Sequence, residues 1–224
     1  MKNKLASLSP PPANAYGLSV VTNYAYYAQQ VAANAENELV NLREFIPGLG
    51  LDIRYATPDN VLGEALYATA SAYLRRPVAE ALRQVQQALR PQNLGLLVFD
   101  AYRPYRVTVR FYEQIQDENY AAPPWRGSRH NRGCSVDVAL INLGSGHPLP
   151  MPTAFDALTP AAHASYADLP AAILQNRATL FAAMTQCGFV NYPGEWWHFD
   201  HQRWSEFDLL DLAFEELGAR QNDL

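Results

Sequence analysis

Two of the five histidines in this chain, His130 and His198, stand in short motifs that also carry a carboxylate. In SRHNRGCSVD (128–137), His130 lies in a polar stretch and Asp137 follows it at the end; in GEWWHFD (194–200), Glu195 precedes His198. Imidazole nitrogen and carboxylate oxygen are the donors of catalytic zinc sites, which take three protein ligands and leave a fourth position for water. His130, Asp137 and His198 supply such a set. Glu195, near one ligand without being one, is the residue type that serves a hydrolytic metal site as general base. His147 before Pro148 and His163 among small residues read as surface positions, and His201, at the end of the last strand, lies at most behind a ligand.

Local geometry permits this convergence without requiring it. In a regular strand Glu195 and His198 face opposite sides, because the side-chain period is two, but a turn at Gly194 breaks that period. Gly133 allows a sharp bend between His130 and Asp137. Against this, a histidine–aspartate pair at such a spacing is commonly a hydrogen-bonded structural pair, and E-x-x-H lacks the second histidine of the helical zinc-protease motif. The two tryptophans beside His198 suit a core or a cleft wall. A Cys134–His130 thiol nucleophile is a further option, though no orienting partner accompanies it. Spacing alone leaves metal site and structural pair both open.

The elements that must position these residues are legible in part. NYAYYAQQVAANAENELVNLREFIPG (23–48) predicts one long helix, with Asn23 as N-cap and Pro47-Gly48 as its end. LDIRYAT (51–57) alternates like a strand. VAEALRQVQQALRPQ predicts an amphipathic helix with Val78, Leu82, Val85 and Leu89 inward, and LGLLVFD (94–100) a buried central strand. After the turn AYRPYR, the spacing of Val107, Phe111 and Ile115 predicts another helix. CSVDVALIN (134–142) alternates as a strand, and a loop-rich, proline-rich stretch runs from 147 to 170. AAILQNRATLFAAMTQCG predicts a helix closed by Gly188. FVNY and WWHFDH predict a hairpin, and SEFDLLDLAFEELGAR a final helix capped by Ser205. This order predicts an α+β fold, a mainly antiparallel central sheet flanked by helices.

Composition narrows the function classes. With 49% hydrophobic and 17% charged residues over 224 positions, the chain is that of an ordinary globular protein. A net charge of −5 without a basic cluster gives nucleic-acid binding no electrostatic support. No apolar run approaches a membrane span. Two cysteines, Cys134 and Cys187, are too few for a disulfide framework or a thiolate zinc site; a single pairing between them stays open. Residues 1–22, proline-rich and without the apolar core of a signal peptide, read as a disordered or extended leader. A cytoplasmic location is therefore the expectation, with the periplasm as alternative.

Taken together, the motifs carry more than their parts. SRHNRGCSVD fits S-x-H-x-x-G-x-x-x-D and EWWH fits E-x-W-H, and in this combination the chain resembles the zinc D-Ala-D-Ala dipeptidases. That family is related to the D,D-carboxypeptidases and includes the vancomycin-resistance enzymes. LDIRYATPDNVLGEALY (51–67), FDAYRPYR (99–106) and MPTAFDALTP (151–160) resemble it too, in the same order, over about residue 51 to the C-terminus. The resemblance implies a zinc D,D-peptidase/hedgehog-like fold and one Zn²⁺ per chain held by His130, Asp137 and His198. It implies Glu195 as base and Arg103 as the group that stabilises the oxyanion. Ser128, Asp156, Tyr55 and Tyr67 fall where the family contacts substrate, a small dipeptide. Ser135 departs from the family, which often has alanine there, and Cys134 also sits within the motif.

The expected organisation is the leader, a helical extension over 23–48 and a catalytic domain over 49–224. The extension packs on the domain or mediates a homo-oligomer. Two other activities remain open: a D,D- or L,D-carboxypeptidase acting on longer peptidoglycan peptides, and a non-catalytic zinc-binding module. Preference for N-acylated substrates would mark the first; Glu195 argues against the second.

Overall fold

The structure is a computed structural model and describes residues 9–221. In chain order the elements are β1 (Val20–Val21), α1 (Tyr24–Ala33), β2 (Leu39–Asn41), α2 (Leu42–Phe45), β3 (Gly50–Leu51), β4 (Tyr73–Arg75) and α3 (Arg76–Leu89). These are followed by β5 (Leu94–Asp100), α4 (Tyr105–Ile115), β6 (Ser135–Asn142), α5 (Ala171–Gln186), β7 (Phe189–Asn191), β8 (His198–His201), β9 (Leu209–Leu210) and α6 (Phe214–Gln221).

The fold is mixed α and β around a five-stranded sheet of order β3-β5-β6-β8-β7. Three of its pairings are antiparallel, and β3 runs parallel to β5, so the sheet is mixed. β5 lies between β3 and β6, as its nearly continuous apolar run predicts, and is buried from Gly95 onward. On β6, alternation puts Val136, Val138 and Leu140 on one face and Ser135 and Asp137 on the other. Helix α3 begins with Pro77 in its first turn, where a missing N–H costs nothing, and buries Val78, Leu82, Val85 and Leu89. It packs against β5 and α5, and α5 packs against β6 and β7.

Three predicted elements differ from the expectation. The long helix over 23–48 stops at Ala33. Asn23 caps its start by accepting from the Tyr26 amide, but Asn34 turns extended and caps a short 3₁₀ turn. Leu39–Asn41 then pairs antiparallel with Tyr73–Arg75. The helical spacing misled because Leu39, Leu42 and Ile46 are buried without a continuous helix. The strand expected over 51–57 shrinks to Gly50–Leu51, and Arg54–Ala56 form a 3₁₀ turn.

The helix expected from Ser205 begins only at Phe214. Before it, Leu209–Leu210 pair in parallel with Val20–Val21. The Tyr102 hydroxyl accepts from the Leu212 amide at 2.8 Å and donates to its carbonyl at 3.0 Å, which fixes that backbone outside a helix. The end of the expected leader is thus a paired strand, while residues 1–8 lie outside the described residues. Cys134 and Cys187 are both free, so the pairing left open does not form. Among the described residues, no helix is long and apolar enough to cross a membrane.

Candidate metal centre

His130 sits on a 3₁₀ turn (Arg129–Arg132) that the sequence caps at both ends. The Ser128 hydroxyl accepts from the His130 amide at 3.2 Å, and the Asn131 side chain accepts from the Ser128 amide at 2.7 Å. Asn131 also donates to the Arg103 carbonyl and the Thr108 hydroxyl, tying this turn to α4. Gly133 ends the turn at φ 67°, and a Cβ there would lie 2.6 Å from Leu39 Cδ2. Both the left-handed backbone and the close approach favour glycine, since a larger residue would be strained and would have to displace the Leu39 side chain.

Asp137 and His198 are cross-strand partners on β6 and β8, and Asp100 of β5 is the partner of Asp137 on the other side. An irregularity between Val98 and Asp100 shifts the register, which brings Asp100 level with Asp137. Glu195 lies in the loop between β7 and β8. The Asn191 side-chain amide holds that loop, donating to the carbonyls of Glu195 and His198 at 2.9 Å each.

The donor atoms of His130, Asp137 and His198 all lie within 4.8 Å of one another. His198 Nδ1 is 3.0 Å from Asp137 Oδ1 and 3.1 Å from His130 Nε2, which is itself 3.4 Å from Asp137 Oδ1. The outer nitrogens are also engaged: His130 Nδ1 with the Ala101 carbonyl at 2.6 Å, and His198 Nε2 with Asp200 Oδ1 at 3.0 Å. Two oriented imidazoles and one carboxylate, each histidine braced from behind, fit a metal ion of the zinc type. Glu195 Oε2 stands 3.8 Å from His198 Nδ1. All four residues line a cavity of about 590 Å³.

Electrostatics sort these carboxylates. Burial alone would raise Asp137, but the flanking histidines outweigh it and hold its carboxyl well below the usual range. For Glu195 burial outweighs the opposing pull of His198 and Arg103 and pushes it up to about 7. Asp156 is likewise pushed up to about 7 by burial. Its Oδ1 accepts from the Tyr55 hydroxyl at 2.9 Å and the Val61 backbone N–H also favours its charged form, while Oδ2 is buried and makes no close hydrogen bond among the described residues. Its backbone is left-handed, at φ 60°.

Arg103 lines the same cavity, its guanidinium against two adjoining rings, 4.9 Å from the centroid of Tyr55 and 4.8 Å from that of Phe111. Its Nε and Nη2 donate to Asp100 Oδ2 at 2.9 and 2.8 Å, and Nη2 lies 3.9 Å from Asp137 Oδ2. Ser128, Tyr55 and Asp156 also line the cavity. Tyr67 stands apart: buried, it donates to Asp100 Oδ1 at 2.8 Å and supports the Arg103 ion pair from behind. Cys134 is fully buried, and burial pushes its thiol up to about 12, the opposite of an activated nucleophile.

Sequence reasoning missed Asp100 and Asp200. A signal existed for Asp200, which follows His198 by two in a strand and so shares its face. Asp100 ends a strand next to an arginine-bearing turn, and only the register across β5, β6 and β8 reveals it.

The family described as Peptidase_M15, D-ala-D-ala dipeptidase, matches residues 35–208. The chain is 34% identical to the D-alanyl-D-alanine dipeptidase of Escherichia coli (strain K12), over 79% of this chain and 91% of that protein. It is 31% identical to the D-alanyl-D-alanine dipeptidase of Streptomyces coelicolor, over 70% of this chain and 87% of that protein. It is also 31% identical to that of Enterococcus faecalis (strain ATCC 700802 / V583), over 73% of this chain and 91% of that protein. The chain is a peptidase and belongs to the Peptidase_M15, D-Ala-D-Ala dipeptidase, family.

Proposed function

We propose that the chain hydrolyses the D-alanyl-D-alanine dipeptide to two D-alanines, with one Zn²⁺ held by His130, Asp137 and His198. The observation that carries this reading is the buried carboxylate of Asp156, one oxygen of which makes no close hydrogen bond among the described residues, in the cavity that also holds the three donors. A buried carboxylate oxygen without a partner invites a cationic group. The free ammonium of a dipeptide supplies one, and an N-acylated peptide does not. When bound, the ion supplies Lewis-acid chemistry, acidifying water and polarising a carbonyl. Glu195 takes the proton from the attacking water and returns it to the departing amine. Arg103 offsets negative charge developing on the substrate oxygen, its guanidinium oriented in advance by Asp100. Tyr55 orients Asp156. Ser128 gives its oxygen lone pair to the turn and has its hydroxyl proton left for the substrate carboxylate.

The finer fold assignment, zinc D,D-peptidase/hedgehog-like, and a cytoplasmic location belong to the same reading. A D,D- or L,D-carboxypeptidase is the second reading, favoured by the cavity volume, which is of the size that takes drug-sized ligands. The deciding experiment measures zinc content and D-alanine release from D-Ala-D-Ala, with an acetylated tripeptide as competing substrate. The dipeptide should win; preference for the acetylated tripeptide would overturn the dipeptidase reading. Glu195→Gln should keep its zinc and lose activity by about 10²–10⁴-fold. Full activity in that variant would remove Glu195 from the mechanism.

A further inference from the structure

We propose that Ser135 is a positioning residue for His198, acting through Asp200. The inference rests on the reading of His198 as a metal ligand. On β6 and β8 two cross-strand pairs stand side by side, Asp137 with His198 and Ser135 with Asp200. They form a four-residue box, because residues two apart on a strand share a face. His198 turns Nδ1 toward Asp137 and His130, and Nε2 toward Asp200 Oδ1. For Nδ1 to bind a metal, the ring proton must sit on Nε2, and the acceptor on that side decides this.

Asp200 Oδ1 is that acceptor, and Ser135 Oγ donates to the same oxygen at 2.5 Å. The terminal torsion of an aspartate is broad, so the carboxylate swings unless both oxygens are held. Oδ2 is bound by Arg129, a half-exposed side chain stacked on Trp204 at 4.6 Å. Ser135 is the stiffer anchor, fully buried on a central strand. Its hydroxyl keeps Oδ1 in the plane where His198 Nε2–H can reach it. Without the hydroxyl the carboxylate rotates toward Arg129. His198 then gains a competing tautomer whose proton lies on Nδ1, facing Asp137 Oδ1 at 3.0 Å, where it blocks ligation.

The test uses the full chain and zinc alone. Competition against a chromophoric chelator gives the zinc affinity of the unaltered chain, Ser135→Ala and Asp200→Asn. Long-range ¹⁵N–¹H NMR of the zinc-loaded, unaltered chain reads the imidazole tautomers directly. Ser135→Ala should bind zinc about tenfold more weakly and Asp200→Asn weaker still. In Ser135→Ala the ¹⁵N resonances of His198 should shift while those of His130, braced by the Ala101 carbonyl, stay in place. The unaltered chain should show His198 protonated on Nε2. Zinc affinity in Ser135→Ala within about twofold of the unaltered chain would overturn the proposal. So would a His198 proton on Nδ1, an observation that needs no variant to fold. An unaltered chain that binds no zinc would instead overturn the metal-centre reading itself.

Discussion

At the scale of single residues, environment rather than type separates the carboxylates of the cavity. Asp137 is held ionised by two histidines, whereas burial lifts Asp156 and Glu195 to about 7. A raised carboxyl is protonated, and so unable to pair with an ammonium, below its own pKa. The value of kcat/KM for D-Ala-D-Ala should therefore fall as the pH drops through about 7. Glu195, lifted to about the same value, adds its own step, so Asp156→Asn should lower kcat/KM at every pH and leave a shallower acid limb; an unchanged magnitude and steepness would deny Asp156 its contact with substrate. Cys134 gives the opposite expectation. Its thiol is buried and held neutral, so Cys134→Ala should keep full activity and lose about 1 kcal/mol of stability. A large loss of turnover with intact zinc binding would revive the thiol nucleophile.

At the scale of elements, the site is a junction between one capped turn and two neighbouring strands. The turn contributes His130, and its end at Gly133 leaves no room for a Cβ beside Leu39. Gly133→Ala should cost about 1–2 kcal/mol for the left-handed backbone alone, with further loss from the contact. It should also weaken zinc binding, because His130 moves with the turn; thermal unfolding and chelator competition measure the two effects. These elements were largely legible. The strand over 134–142, the hairpin around WWHFDH and the turn after LGLLVFD all form where pattern and turn residues put them. Both terminal helices were overextended. Leu39, Leu209 and Leu210 carry helical spacing, but each finds a strand partner distant in sequence, and such pairing overrides local periodicity.

At the scale of the whole molecule, distant segments converge on the back of the metal turn. Arg75 is fully buried and, among the described residues, forms no ion pair with a carboxylate. It donates instead to the carbonyls of Asn37, Arg132 and Asp208 and lies 5.2 Å over the Phe207 ring. One cation thereby links the segment before β2, the turn that bears His130 and the segment before β9. A metal bound only by the folded centre stabilises the entire fold through mass action, by about 2.7 kcal/mol at a hundredfold excess over Kd. Chelation should therefore lower the melting temperature of the zinc-loaded chain, and zinc should restore it. That gain should shrink on acidification, because the histidines and Asp137 must be deprotonated to bind. An unchanged melting temperature across the titration would argue against a site formed by folding.

The sequence by itself determined which residues are candidates for the donor set, the base and the oxyanion arginine, because donor chemistry resides in side-chain type and the motifs occur together in order. It also determined the central strands, whose apolar runs and alternation are local properties. Only the tertiary structure decided that Tyr67 supports Arg103 from behind instead of lining the cavity. Only it revealed Asp100, and the Ser135–Asp200 pair that braces His198. The physical reason is common to all three. Each depends on which faces meet in the folded chain, and the residues concerned stand 33 to 65 positions apart, a separation that no local pattern encodes.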